Sequence, residues 1–415
     1  MNILIVTHYF QPDGGAAAVR LSYLARWLAE RGHRVQVLTT VPHYPLGRIR
    51  AGYGGRIRMR ERWAGVEIVR AWLWASPSPS IAKKLISQTS FLLAGGIAGL
   101  TLQRPDVVLI EAQPMPTGVL GRFIAGWKRA PYVLNVSDLW PDHLLSVGAL
   151  SESSLIYRIA RRIVDSGYRG ARHIIALSPE WRRRIAERLA SSGASSEKIT
   201  ALWRGVDVEA FDPQVNPQDF RQAQGFDPQE RLISFIGTFA TQYDFEAWLD
   251  VAAHFNERTD LRFVVIGGGT QAGKLAQRLQ HDPRLTRLRW IDWLDSAQMP
   301  QAWAASYVTT WMMRPDPLYQ GTLPAKMYEA LAMGVPIVAA QAGEAQALLE
   351  ASGAGVALPV GDVAGMVSAL SDLLSAPQRR QQMAQAGRAY ALAHFDFRQT
   401  AQIYERILLA VSSKI

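Results

Sequence analysis

Lys326 and Glu329 stand three residues apart, just after Pro324 and ahead of Gly334 and Pro336. This spacing puts an ammonium and a carboxylate on one face at the start of a short helix. A helix amino terminus offers unbonded N–H groups and a partial positive charge, so it attracts anions. With Lys326 beside it, such a terminus can hold a diphosphate. Glu329 can accept two hydroxyl hydrogen bonds, as a ribose diol requires. The same pair can also be a solvated ion pair without a ligand. Gln320, Gly321 and Thr322 lead in as a loop, with Leu323 between them and the proline. Asp138 is a second candidate. A positioned carboxylate can orient a hydroxyl or accept its proton, or it can cap the following turn.

The elements that must position these groups alternate between strand and helix. Residues 2–7 read as an apolar strand, 19–31 as a helix with Leu21, Leu24 and Leu28 on one face, and 35–39 as a second strand. A parallel sheet follows from this opening. Gly14 and Gly15, between strand and helix, let backbone come close to a ligand or simply make a turn. Further strands are expected at 107–110, 132–136 and 174–178. Asp138 falls at the carboxyl end of one of them, where open α/β sheets bind ligands. Residues 86–102 read as a largely buried helix, or less readily an interfacial one. They are too short and polar for a span of roughly 20 apolar residues. The polar, proline-rich stretch 212–230 marks a linker. A second series of strands starts at 232–236 and continues at 262–266, 288–291, 307–311 and 337–340. Gly237 and Thr238 follow the first of these. Trp293 and Leu294 follow the third, where Trp293 can meet a nucleobase or sit in the core. Glu344 follows Gly343 after the last. The expected domains are 1–212 and 213–394, with a terminal helix from about 395.

At 415 residues the chain can bury two cores, and 48% hydrophobic with 19% charged residues describes an ordinary globular protein. The absence of cysteine excludes disulfides, thiolate zinc sites and cysteine nucleophiles. No His/Asp/Glu cluster has metal-ligand spacing. The amino terminus reads as a buried strand, not a signal peptide. The net charge of +10 is uneven: residues 1–212 hold 28 Lys and Arg against 16 Asp and Glu, and residues 213–415 hold 17 against 19.

Five motifs occur in order: Gly14-Gly15, Pro42-His43-Tyr44-Pro45, Asp138-Leu139-Trp140-Pro141, Gly205-Val206-Asp207, and Leu323-Pro324-Ala325-Lys326 with Glu329. Together they resemble the family 4 retaining glycosyltransferases of the GT-B fold. The form is that of bacterial surface-polysaccharide transferases of the WbuB and WcaI type. The resemblance implies an α/β architecture of two Rossmann-like domains facing across a cleft, with the last helix packed back on the first. It implies a UDP-sugar donor, an N-acetylated hexosamine, and a lipid-linked undecaprenyl diphosphate acceptor. It implies no metal or other cofactor, because basic side chains and helix dipoles stabilise the leaving diphosphate. Donor contacts are implied for Gly14, Gly15, Gly237, Thr238, Trp293, Leu294, Thr322, Leu323, Lys326, Glu329 and Glu344. Asp138, Lys326 and Glu329 are the implied catalytic residues, and His43 belongs to the acceptor side. The chain departs from the pattern in places. Gly321 stands where many relatives carry a second Glu, Ser137 where many carry His, and Thr238 and Gln242 where basic residues are usual. Those losses put more weight on Lys326. Two rivals remain: a UDP-sugar epimerase of the same fold, and a non-enzymatic basic membrane binder.

Six arginines, at 48, 50, 56, 58, 60 and 62, are offset within their stretch by Glu61 alone. In an extended chain Arg56, Arg58, Arg60 and Arg62 share one side. Tyr53 and Trp63 flank them, and such aromatics favour membrane interfaces. The expectation is a cytoplasmic protein held peripherally on the inner face of the bacterial membrane, with this stretch guiding a lipid headgroup. A solvated charged strand is the alternative. No stacking platform points to nucleic acid.

Overall fold

The computed structural model describes residues 1–78, 80–146, 148–191 and 193–413. The chain divides into two compact units, Met1–Arg204 with the segment from Arg398 onward, and Gly205–Phe397. The division falls ahead of residue 212, and the proline-rich stretch belongs to the second unit.

The first unit holds an eight-stranded sheet: β1 (Asn2–Val6), β2 (Arg34–Thr40), β3 (Arg58–Trp63), β4 (Val66–Ala71), β5 (Val107–Glu111), β6 (Tyr132–Val136), β7 (His173–Ala176) and β8 (Ile199–Ala201). Their order is β3-β4-β2-β1-β5-β6-β7-β8. All pairs are parallel except β3 with β4. β1 is buried from Ile3 to Val6 because helices cover both sheet faces, which is why its sequence does not alternate. The order reverses between β1 and β5. In such sheets ligands bind beyond the strand ends at that reversal.

The second unit holds six parallel strands: β9 (Arg231–Ile236), β10 (Leu261–Ile266), β11 (Leu288–Ile291), β12 (Ser306–Met312), β13 (Ile337–Ala340) and β14 (Gly355–Leu358). Their order is β11-β10-β9-β12-β13-β14, so the reversal lies between β9 and β12.

Three expectations change. The first helix starts at Ala16, directly behind Gly15, earlier than residue 19. The segment expected to be largely buried is a longer helix, Ile81–Leu100, and it is two-faced. Phe91, Ala94 and Ala98 face the core, while Leu85, Ile86, Leu93, Ile97 and Leu100 are exposed. Its glycines set that orientation: a Cβ on Gly99 would sit 2.5 Å from Ile124, so the small-residue face packs inward. Among the described residues no helix is long and apolar enough to cross a membrane. Third, Glu61 does not offset the arginines of its own stretch, because it bonds the buried Arg70 guanidinium instead. Arg58, Arg60 and Arg62 point outward from the edge strand β3, and Arg56, just ahead of it, is exposed as well.

Candidate active site

In the second unit Phe235 stands near the carboxyl end of β9 and Trp311 near that of β12, at the reversal in strand order. Lys326 reaches over them from the helix Ala325–Ala332. Its Nζ lies 3.1 Å from the Phe235 ring centre, 4.2 Å from Tyr243 and 5.8 Å from Trp311. Lys326 is only 5% exposed, and its ammonium has no hydrogen-bond partner. The solvated ion-pair reading is therefore overturned. Burial drives the Lys326 pKa well below its ordinary value, and the charge of Glu329 opposes that shift only in part. The three ring faces also favour the cation. An unpaired buried ammonium is costly unless an anion arrives.

Gly237 shows where the anion would sit. Its φ is +130°, and a Cβ there would lie 3.5 Å from Lys326 Cε and 3.8 Å from Nζ. Glycine thus leaves room beside the ammonium. The loop it begins is tied down. Phe239 N–H donates to Gly268 O at 2.8 Å, and Gln271 Nε2 donates to Ala240 O and Tyr243 O. Gln242, which stands where a basic residue was expected, accepts from the Arg314 N–H through its backbone carbonyl at 2.9 Å. Thr238 is exposed on the same loop.

Glu329 is half-buried, and Trp303 Nε1 donates to its Oε2 at 3.0 Å, which fixes the carboxylate's direction. Thr322 is anchored through its carbonyl, which accepts from Gln341 Nε2 at 2.7 Å, while Trp311 Nε1 donates to Gln341 Oε1 at 2.8 Å. Leu323 is half-buried between that anchor and the helix. Glu344 opens the helix Glu344–Ser352 behind Gly343, whose φ of +79° brings the loop against Gln320: a Cβ would meet Gln320 O at 2.2 Å. Trp293 is 40% exposed, so it is not core. Its indole lies over Gly268, where a Cβ would be 2.8 Å from Nε1. Leu294 beside it is half-buried.

The first unit has its own cluster at its strand ends. Arg20 and Glu111 form a buried ion pair. Glu111 also accepts from Asn135 Nδ2 at 2.7 Å and Ser137 Oγ at 2.5 Å, and Tyr404 OH donates to Asn135 Oδ1 at 2.6 Å. Burial pushes the Glu111 carboxyl upward against these partners. Asp138 follows this network directly. Burial raises its pKa, while His143, a hydrogen bond from Gln113 and Arg20 pull it down. Gly14 faces open space, and Gly15 is the helix N-cap at φ +95°. His43 stacks on Tyr9 at 5.6 Å and meets His8 edge-on at 5.4 Å. Its N–H and that of Tyr44 both donate to Asp13 Oδ1, and burial pushes Asp13 up to about 6.

Sequence reasoning missed Arg20, Phe235, Tyr243, Trp311 and Gln341. The aromatics carried only a core signal, and Arg20 lies on the same helix as the apolar stripe. Among the described residues no group of three or more His, Asp or Glu could hold a metal ion.

Residues 15–202 match the glycosyl transferase 4-like domain and residues 230–376 the glycosyl transferases group 1 domain. HepE of Anabaena, solved in complex with UDP and glucose, superposes with a TM-score of 0.71 at 18% identity, covering 100% of this chain and 99% of that one. The protein is thus a glycosyltransferase of the GT-B fold. Within that class it belongs to the family 4/group 1 glycosyltransferases. Its relatives include WcaI of Escherichia coli, a glycosyl transferase assigned to colanic acid biosynthesis, 20% identical over 68% of this chain and 69% of that protein. The D-inositol 3-phosphate glycosyltransferase of Corynebacterium diphtheriae is 24% identical over 95% of this chain and 90% of its own length.

Proposed function

We propose that the protein is a retaining, metal-independent glycosyltransferase. It moves a sugar, an N-acetylated hexosamine, from UDP to a lipid-linked undecaprenyl diphosphate saccharide during assembly of a bacterial surface polysaccharide. The observation that carries this reading is the buried Lys326 amino group, without a hydrogen-bond partner and in reach of the Gly237 backbone. That arrangement stabilises negative charge as it develops on a leaving diphosphate. Glu329, aimed by Trp303, takes the ribose hydroxyls, and Trp293 offers an exposed indole face for the base. In the first unit Asp138 orients the acceptor hydroxyl, which attacks from the face the diphosphate leaves. WcaI's assignment to colanic acid biosynthesis supports the polysaccharide setting, and the UDP in HepE supports the donor.

The test is a donor screen by mass spectrometry with a lipid diphosphate sugar as acceptor. Product should form only with donor and acceptor together, and it should persist in EDTA. Turnover of donor alone would make the protein an epimerase, and loss of product in EDTA with rescue by magnesium would end the metal-independent reading. Glu329→Gln should weaken UDP binding by about tenfold, the scale of one lost charged hydrogen bond. Unchanged UDP affinity by calorimetry would move the ribose contact elsewhere.

Membrane contact belongs to the same proposal. Arg56, Arg58, Arg60 and Arg62 are all exposed, and the outer face of Ile81–Leu100 is apolar. Each basic side chain near an anionic bilayer adds roughly 1 kcal/mol. Replacing the four arginines by serine should release the protein from anionic vesicles on sedimentation and leave UDP affinity intact. Equal sedimentation of both proteins would sink this docking mode.

A further inference from the structure

A groove of about 730 Å³ opens on the first unit, lined among others by Arg122, Phe123, Arg129, Tyr132, Gly170 and Arg172. It lies at the amino-terminal edge of the sheet, where β6 begins at Tyr132 and β7 at His173. Ser137 and Asp138 sit at the other end of β6, so the groove is separate from the candidate active site. Its floor is set by Tyr132, whose hydroxyl donates to Gly167 O at 2.9 Å. Gly170 packs on that hydroxyl so closely that a Cβ would lie 2.5 Å from it. Among the described residues no carboxylate lines the groove. Arg172 also lines a neighbouring groove with His173, Thr200 and Arg406, so the cationic surface continues.

Arginines at this edge have an ordinary explanation: helices end here, and cations complement their free carbonyls. That work is done by other side chains. Lys128 donates to Leu100 O and Leu102 O, Arg104 to Arg129 O, Arg122 to Ile163 O, and Lys198 to Arg169 O and Ala171 O. Arg129 and Arg172 are exposed, and among the described residues neither side chain makes a hydrogen bond or ion pair. Arg129 also sits at φ 50°, ψ 44°, closing the helix Met115–Lys128. Glycine or asparagine is the usual occupant of that left-handed position. Two unused guanidinium groups thus face one concave surface. Phe123, which lines the groove, is 51% exposed, and Trp127, one turn on along the same helix, is 63% exposed.

We propose that this groove binds a phosphate ester through Arg129 and Arg172. A guanidinium matches two phosphate oxygens at once, which gives such a contact both strength and direction. The ester is either the headgroup of an anionic phospholipid, with Phe123 and Trp127 against the lipid, or a soluble sugar or polyol phosphate. The site is independent of the donor chemistry at Lys326.

The test uses the full chain and two probes. One is glycerol 1-phosphate, followed by calorimetry. The other is vesicles of equal parts phosphatidylglycerol and phosphatidylcholine, followed by co-sedimentation. Arg129→Gln/Arg172→Gln leaves Arg122 and its structural bond in place. Arg158→Gln/Arg162→Gln, on exposed positions of the helix Leu155–Gly170 outside the groove, removes the same charge. The groove variant should lose about tenfold or more in affinity for the probe that binds, and the control less than about twofold. A fall in vesicle affinity in the groove variant assigns the ester to a lipid, and a loss confined to glycerol 1-phosphate assigns it to a soluble phosphate. Either upholds the site. Equal losses in the two variants would reduce the effect to general charge and overturn it, as would no binding of either probe. UDP affinity, read in parallel, should stay unchanged, so failure here leaves the donor-site reading standing.

Discussion

Replacing Lys326 by methionine is expected to remove activity and stabilise the protein at the same time. Lys326 is buried, lacks a hydrogen-bond partner and is pressed against three aromatic rings. Methionine fills the same space without the charge. Replacing buried ionic groups by well-packed apolar ones often stabilises by about 1–4 kcal/mol. The loss in transition-state stabilisation should be at least ~2 kcal/mol, or about 30-fold in kcat/KM. Two pH effects follow from the lowered pKa. In the unfolded chain the lysine keeps its ordinary value, so it holds its proton over the window between the lowered folded pKa and 10.5. Wild-type stability should therefore rise with pH across that window, and the rise should be missing in the methionine variant. An arriving diphosphate restores the charge, so binding takes up a proton. UDP affinity should fall by up to about tenfold per pH unit above the free-state pKa. Thermal melts and calorimetry in buffers of different ionisation heat check both. A variant that melts lower than wild type and still binds UDP would show that Lys326 is structural.

Replacing Glu111 by leucine should have the largest effect on stability. The change strands the Arg20 guanidinium, 2% exposed, without its counter-charge. It also removes the acceptor of Asn135 and Ser137. Breaking one side of a buried pair costs about 3–5 kcal/mol. For a protein of this size the melting temperature should fall on the order of 10 °C. Arg20→Leu together with Glu111→Leu should recover most of that loss, because no buried charge is then left alone. Asp138 follows Ser137 directly, so activity should fall further than stability explains. If the double variant melts as low as the single one, the pair is not the source of the loss.

The alternation of strand and helix was legible because each strand of a parallel sheet is buried on both faces, and Ile3–Val6 or Ile337–Ala340 read as short apolar runs for that reason. The donor helix was legible too, since Pro324, Gly334 and Pro336 bracket it. The two-faced helix Ile81–Leu100 was not. Its apolar residues fall on more than one side of the helix, and contacts such as Leu120 on Gly95 and Ile124 on Gly99 decide which face turns inward.

The same division holds at the site. Sequence alone determined that Lys326 and Glu329 share a helical face behind a loop, that Gly237 follows a strand, and that Asp138 closes another. These are local relations, settled by a few residues of spacing. Only the tertiary structure decided that Lys326 is buried in an aromatic box and that Glu111 is paired with Arg20. Phe235 and Trp311 both come near Lys326 because β9 and β12 are neighbours in the sheet, although β10 and β11 lie between them in the chain. Strand order sets that meeting, and periodicity records only that each residue is buried, not which distant residue lies beside it.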